Sequence, residues 1–517
     1  MRKRIVTSGT LNLLTSCLLF GSLLAILILP VGELLNADLI LPVNILVDLR
    51  NGLNIGEWNG SPNNFYIPEI AYYLGIGTVF SRLSPIFLHM LYPILSGTLL
   101  GLTTYYLHAT VLSSRDIGTW TRNLLPVFPV ALSLVNQISE ENIIKVAVLP
   151  EIHFGAYLAC LVGITLASVA LTGKTASHRK SSLAWLMMVC LLAALSDNFF
   201  ILWFTIPFLA TLAHLLFGSE AFPKQRIKGI FGAVLLSSLA GYILHKITNS
   251  ATSNNKVSLE NIALSLTRLS NVLSNERYIT VYALIALILS ISLYFTSLQQ
   301  ASTHDFASQD ASISLRRKIF WIWNFYSIPS TLILVILYGL VADAGSTRYF
   351  LPLFFAPITA GIWIITELLF HNFSLERFRA ARNSTFTAIY ISVFAIVLAA
   401  LPGYLSSYKQ DPGYQLTQCL KSENVGVWYS EYWNSKPVHA FSNGSIISRQ
   451  INNDGTPYRF NNNNMWYKQE PASSESKVAI MLDTDFARNI PESIPLQSCG
   501  EMDYKIVPKE YVFQQQR

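Results

Sequence analysis

The sequence predicts an all-α polytopic membrane protein of about eleven transmembrane helices, followed by a small C-terminal extracytoplasmic α+β domain. Three observations carry that prediction. First, only 13% of the 517 residues are charged, about half the share of soluble domains, while 52% are apolar and the mean hydropathy is +0.41. So few charges cannot solvate the surface of a 57.7 kDa soluble globule, which excludes a cytosolic enzyme, a disordered chain and a fibrous repeat. Second, apolar runs recur at close to the ~20 residues that a ~30 Å hydrocarbon core requires. Third, Lys and Arg alternate loop by loop. The net charge of +6 is too small over this length to imply a nucleic-acid partner.

The spanning runs lie near 11–30, 84–111, 122–137, 152–172, 182–196, 198–217, 229–246, 278–297, 319–341, 349–370 and 385–406. The start, Met1-Arg2-Lys3-Arg4, has the charge of a signal n-region, but the apolar run after it is long and no small-residue cleavage site follows, so it reads as an uncleaved anchor. Leu14-Thr15-Ser16-Cys17 has the form of a lipoprotein box, yet more apolar residues follow Cys17, which reads as a helix-core cysteine. Ser196-Asp197-Asn198 breaks 182–217 into a hairpin of two short spans. One alternating set of loops holds 17 basic residues, among them Arg2, Lys3, Arg4, Lys174, Arg179, Lys180, Arg226, Arg316 and Arg317. The other set, with Arg50, Arg82, Lys145 and Arg348, holds 8. The basic set belongs in the cytoplasm, so eleven spans leave the N-terminus inside and the C-terminus outside.

Residues 1–406 thus form a transmembrane domain with an outer loop at 31–84, and residues 407–517 form a separate outer domain. That tail is polar and nearly balanced, with 11 Lys+Arg and 12 Asp+Glu. Short alternating stretches, Val425–Tyr429 and Val478–Leu482, are separated by the turn signals Asp411-Pro412-Gly413, Asn443-Gly444 and Asp454-Gly455. Cys419 and Cys499 both fall in it, either as a bridge favoured by an oxidising compartment or as two buried thiols.

The chemistry-bearing residues collect on the outer side. Asp38 follows the first span closely, where a carboxylate costs several kcal/mol unless it faces a polar cavity. It either serves such a cavity or caps the apolar stretch Ile40–Leu49, which reads as a helix along the membrane interface. Asp48 lies ten residues on, nearly three helical turns, and can share the cavity or pair with Arg50. Glu69 follows Pro68, a pattern equally suited to opening a helix. Trp58, Phe65, Tyr66, Tyr72 and Tyr73 read as an interfacial aromatic belt. His153 opens the fourth span, Asp197 turns the hairpin, and Arg348-Tyr349 opens the tenth, where an arginine either snorkels to headgroups or binds a ligand. No Asp, Glu, Lys or Arg marks the centre of a clear span, as ion-coupled transport usually demands, and no Walker A, H-E-x-x-H, G-x-S-x-G or C-x-x-C motif occurs.

This layout resembles the GT-C superfamily of integral-membrane glycosyltransferases. It is closest to bacterial members that use a polyprenyl-phosphate sugar, such as those adding side-branch glucose to O-antigen, and more distant from the lipid A aminoarabinose transferase. The residues behind the likeness are Asp38 after the first span, the segment from Trp58 through Phe65-Tyr66-Ile67-Pro68-Glu69, Pro150-Glu151-Ile152-His153, Ser196-Asp197, Arg348-Tyr349-Phe350-Leu351-Pro352, and the tail stretch Val425–Tyr429 with Tyr432–Pro437. The resemblance implies transfer of one sugar from a lipid-phosphate carrier to a glycan or lipid-linked acceptor, on the outer face of a bacterial inner membrane. Asp38 and Asp48 would be catalytic, with Asp38 the general base; Glu69, His153, Asp197, Arg348 and Tyr349 would bind substrate. Some members carry a paired acidic dipeptide, whereas Asp38 follows Ala37, which leaves open whether a divalent metal takes part; no other cofactor is implied. A flippase for lipid-linked sugars and an O-antigen polymerase or ligase are the competing classes. If the charge bias sets the orientation, reporter fusions should be periplasm-active at Lys409 and cytoplasm-active at Lys180; the reverse at either point overturns the topology.

Overall fold

The computed structural model describes residues 2–28, 35–59, 65–112, 153–218, 224–248, 258–275, 284, 287–295, 309–341, 349–350, 352, 379–470, 476–482 and 490–508. It is a bundle of apolar helices with a five-stranded domain at its C-terminal end. The first helix, α1, runs Arg2–Ile28. In the outer loop, α2 (Leu41–Arg50) and α3 (Ala71–Val79) precede α4 (Pro85–Leu107), which starts on the Ser84 cap, the Phe87 amide donating to its hydroxyl at 3.0 Å. Then come α5 (Phe154–Thr172), α6 (Ala176–Ser196), α7 (Ile206–Gly218), α8 (Lys224–Thr248), α9 (Leu259–Asn275), α10 (Gln309–Leu337) and α11 (Arg379–Ser406).

The bundle packs by close backbone approach. A Cβ at Gly21 of α1 would lie 2.3 Å from the Ile94 carbonyl of α4, and one at Gly97 would lie 2.7 Å from the Gly21 Cα. Gly97 and Gly101 form a small-xxx-small stripe, the pattern that lets apolar helices touch where lipid supplies no hydrophobic drive. Cys17 is fully buried near Gly101, consistent with a helix-core residue. At one end of the bundle, Arg316 donates to Thr172 Oγ1 (2.6 Å) and the Thr110 carbonyl (2.9 Å), Arg317 to the Leu112 carbonyl (2.6 Å), and Arg226 to the Leu171 carbonyl (2.7 Å). These arginines meet the C-terminal ends of α4 and α5, where orphan carbonyls and the helix dipole favour cations.

Beyond α11 the chain folds into α12 (Pro412–Ser422), β1 (Val425–Ser430), α13 (Tyr432–Ser442), β2 (Ile447–Gln450), α14 (Met465–Lys468), β3 (Lys477–Met481), β4 (Leu496–Cys499) and β5 (Met502–Val507). The sheet order is β2-β1-β3-β5-β4, with β1 parallel to both β2 and β3 and the last two strands antiparallel. β1 is buried at all six positions, as a central parallel strand covered on both faces requires. Asp411 caps α12 and Glu431 caps α13, each accepting from backbone amides in the first turn. A disulfide joins Cys419 of α12 to Cys499 of β4, Cα atoms 6.3 Å apart. Part of the tail thus follows the β-α-β plan instead of a purely alternating one.

Three expectations need revision, and a fourth, the span count, is met in part. Among the described residues, six helices are long and apolar enough to cross a membrane: Pro85–Leu112, Phe154–Thr172, Ala176–Ser196, Lys224–Thr248, Ile313–Leu337 and Tyr390–Gln410. Leu11–Leu27 and Ile201–Phe217 are apolar but shorter. The eleven-span count is therefore not reached among the described residues; 122–137 and most of 278–297 and 349–370 lie outside them. The stretch Ile40–Leu49 is indeed helical, but it does not lie open on the interface: Leu41 to Asp48 are all buried between α3, α4 and the C-terminal domain. Arg50 does not pair with Asp48; it donates to the carbonyls of Leu83 and Gly77 at 2.7 Å each and of Phe80. Tyr72 and Tyr73 are not belt residues either, being buried against Tyr92.

Candidate functional site

The segment between α1 and α4 and the C-terminal domain meet along a polar seam. α2 and α13 run in the same sense, and contacts step along both. The Tyr432 hydroxyl donates to Asp38 Oδ1 at 2.6 Å, Asn44 Nδ2 to the Lys436 carbonyl at 3.3 Å, His439 Nε2 to Asp48 Oδ1 at 2.9 Å, and Asn51 Nδ2 to the Asn443 carbonyl at 3.1 Å. Alongside, Trp58 pairs with Asn463 in an antiparallel bridge, and the Asn59 and Asn464 amides donate to the Asn462 and Glu57 carbonyls.

Asp48 sits at the middle of this seam with no exposed surface. Besides His439, its carboxylate accepts from Asn463 Nδ2 at 2.8 Å and from Trp466 Nε1 at 3.1 Å. A buried carboxylate is tolerable only when donors replace its water, and here three side chains of the C-terminal domain do so. That geometry makes Asp48 an anchor: both of its oxygens already accept. Lys436 lies fully buried beside it, its ammonium over the Trp466 ring at 4.7 Å and the Trp58 ring at 5.1 Å, and bonded to the Asn461 carbonyl. Asp38 differs from Asp48 in remaining partly exposed.

A second group forms where α5 and α6 reach the turn Tyr66–Ile70. His153, at φ 60°, caps α5, and its Nδ1 lies 2.6 Å from Asp197 Oδ2. Asp197 Oδ1 accepts from the Phe199 amide at 2.9 Å, so the turn of the hairpin holds the carboxylate and the carboxylate holds the imidazole. Phe199 stacks on Tyr349 with centroids 5.0 Å apart, and the His153 ring lies 4.1 Å from Phe199 and 5.6 Å from Tyr349. Phe65 and Ile67 are tied to Ser196 by three hydrogen bonds, which brings the following turn, Tyr66–Ile70, against this group.

Glu69 is carried in on that turn. It is 1% exposed and lies against the first turn of α5, the Gly155 amide donating to it. It therefore serves the start of a distant helix and not only its own turn. A Cβ at Gly155 would come within 2.4 Å of Pro68 Cδ and 3.2 Å of Glu69 Oε2, so only glycine fits there. Burial, followed by the nearby Asp197 charge, pushes the carboxyl up to about 8, against the lowering effect of the Gly155 amide.

The structure thus gathers four of the sequence-derived residues, Glu69, His153, Asp197 and Tyr349, in one cluster, and places Asp38 and Asp48 on the seam. Arg348 lies outside the described residues. Among the described residues no three His, Cys, Asp or Glu side chains converge as metal ligands. Sequence reading missed His439, Asn463 and Trp466, and it gave Tyr432 no role beyond its place in the tail stretch Tyr432–Pro437; the run Asn461–Asn464 was the visible signal, but nothing local shows which loop it meets. No family model, curated protein or solved structure matches this chain.

Two outcomes follow. Asp48→Asn turns one oxygen acceptor into a donor facing donors, so it should destabilise the protein by roughly 2–3 kcal/mol, read as a fall in thermal unfolding in detergent; unchanged unfolding would remove the anchoring role. Glu69 has a folded pKa of about 8, above the ordinary carboxyl value of about 4.3, so the folded state holds its proton more tightly. Its stabilising term is full below about pH 4 and is lost as pH rises toward 8. Wild-type stability should therefore decline across that window, and Glu69→Gln should flatten the decline; an equal slope in both proteins would contradict the burial argument.

Proposed function

We propose that this protein is a membrane glycosyltransferase that moves a single sugar from a polyprenyl-phosphate donor to a hydroxyl of a cell-surface glycan or lipid-linked acceptor, with Asp38 as general base. The observation that carries the proposal is Asp38 itself: a partly exposed carboxylate at the mouth of the seam, shortly after the first apolar helix, held by the Tyr432 hydroxyl at 2.6 Å. The buried His153–Asp197 pair and Glu69 at the ends of α5 and α6 support it, since sugar hydroxyls need donors and acceptors of this kind. The likeness to GT-C enzymes rests on the residues alone.

In this reading the acceptor hydroxyl gives its proton to Asp38 as its oxygen bonds to the anomeric carbon, and the bond from that carbon to the lipid phosphate breaks, the phosphate leaving with the electron pair. Arg348 would neutralise the charge that develops on the phosphate. The site would face the periplasm in a bacterial inner membrane, with the N-terminus in the cytoplasm. The gathering of Arg226, Arg316 and Arg317 at one end of the bundle and the Cys419–Cys499 disulfide in the C-terminal domain support that orientation.

Asp38→Asn keeps the shape and the acceptor of the Tyr432 hydrogen bond but removes the base. Transfer of labelled hexose from a polyprenyl-phosphate donor by the purified protein should fall at least ~10²-fold with expression unchanged. Near-normal transfer would leave Asp38 only as the acceptor of the Tyr432 hydrogen bond.

A further inference from the structure

Next to Asp38 the C-terminal domain presents a group of aromatic side chains with no part in the chemistry above. Trp433 is 55% exposed and Tyr458 37% exposed, and both rings stand edge-on to Tyr432, at 5.1 Å and 6.3 Å between centroids. Tyr432 itself is buried, its hydroxyl donating to Asp38 Oδ1 and accepting from Asn461 Nδ2 at 3.4 Å. Asn461 is only 4% exposed and sits at φ 49°, and among the described residues its Oδ1 has no hydrogen-bond partner. Leaving a buried amide oxygen unmet costs about 1–3 kcal/mol, so the position suits a donor from outside the chain.

We infer that Trp433, Tyr458, Asn461 and the Tyr432–Asp38 pair form the subsite for a pyranose ring of the acceptor glycan. A pyranose has an apolar C–H face and a rim of hydroxyls. The exposed rings match the face, as aromatic side chains with one wet side commonly do. The Asn461 oxygen accepts from a rim hydroxyl, and the Asp38 carboxylate lies two hydrogen bonds away, through Tyr432. Trp433 is the second residue of α13, under the Glu431 cap, its amide donating to Glu431 Oε2 at 2.6 Å, so the ring projects from a fixed backbone. This subsite rests on the glycosyltransferase reading for its role as the acceptor site, though not for sugar binding as such.

The test uses the full chain in nanodiscs of phosphatidylethanolamine and phosphatidylglycerol, free of sugar detergent. Saturation-transfer NMR with a panel of methyl hexopyranosides should give signal on the ring C–H protons, reduced by roughly fivefold in Trp433→Ala with Tyr458→Ala. Both side chains are exposed, so the variant should unfold like wild type. In the labelled-hexose assay its KM for the acceptor should rise while kcat holds. No hexoside signal on the wild type, an equal signal in the variant, or quenching of Trp433 by brominated lipid, the mark of a membrane-facing ring, would each overturn the subsite. Hexoside binding lost in the variant with no sugar transfer from any donor would keep the subsite and discard the transferase.

Discussion

A carboxylate without water must be surrounded by donors, and at Asp48 the donors come from the other end of the chain. His439, Asn463 and Trp466 reach it from the C-terminal domain, about four hundred residues away in sequence. Desolvating a charge costs several kcal/mol, which one hydrogen bond does not repay; three bonds to both oxygens can. The other contacts follow from this one. With Asp48 locked, α2 lies along α13, Asn44 and Asn51 find backbone carbonyls, and Tyr432 arrives opposite Asp38. The C-terminal domain is therefore not an appendage but one wall of the space beside Asp38.

The two walls are built by different physics. Within the bundle, helix contact depends on missing side chains: Gly21, Gly97 and Gly101 let α1 and α4 touch, and Gly155 lets the turn at Pro68 press on α5. At the seam, contact depends on hydrogen-bonding side chains that would be costly if left unpaired. Apolar burial sets how tightly the elements pack, and the polar groups set which register they adopt, because a slip of one residue would strand Asp48 without its donors.

Two acidic residues of the outer loop show how far environment sets chemistry. Asp38 is partly exposed beside a phenol, while Glu69 is buried against another helix start and held up to about 8. Burial and a neighbouring charge keep the proton on Glu69 near neutrality, and those neighbours come from distant helix ends, not from the sequence context of Glu69.

Composition and periodicity alone pointed to apolar helices able to cross a membrane, the polar tail from residue 407, the break at Ser196-Asp197-Asn198 and the grouping of Glu69, His153, Asp197 and Tyr349 at one end of the helices. These are local or statistical properties: hydropathy depends on residue type, and helix ends that alternate across a slab must bring alternate loops to one face. Tertiary structure decided the rest. That Asp48 anchors while Asp38 stays open, that Glu69 serves the start of α5, and that Tyr432 and Asn461 stand at Asp38 depend on pairings across up to four hundred residues. Nothing in a carboxylate's sequence neighbours records which distant donors will surround it, because its burial is settled only when the two ends of the chain meet.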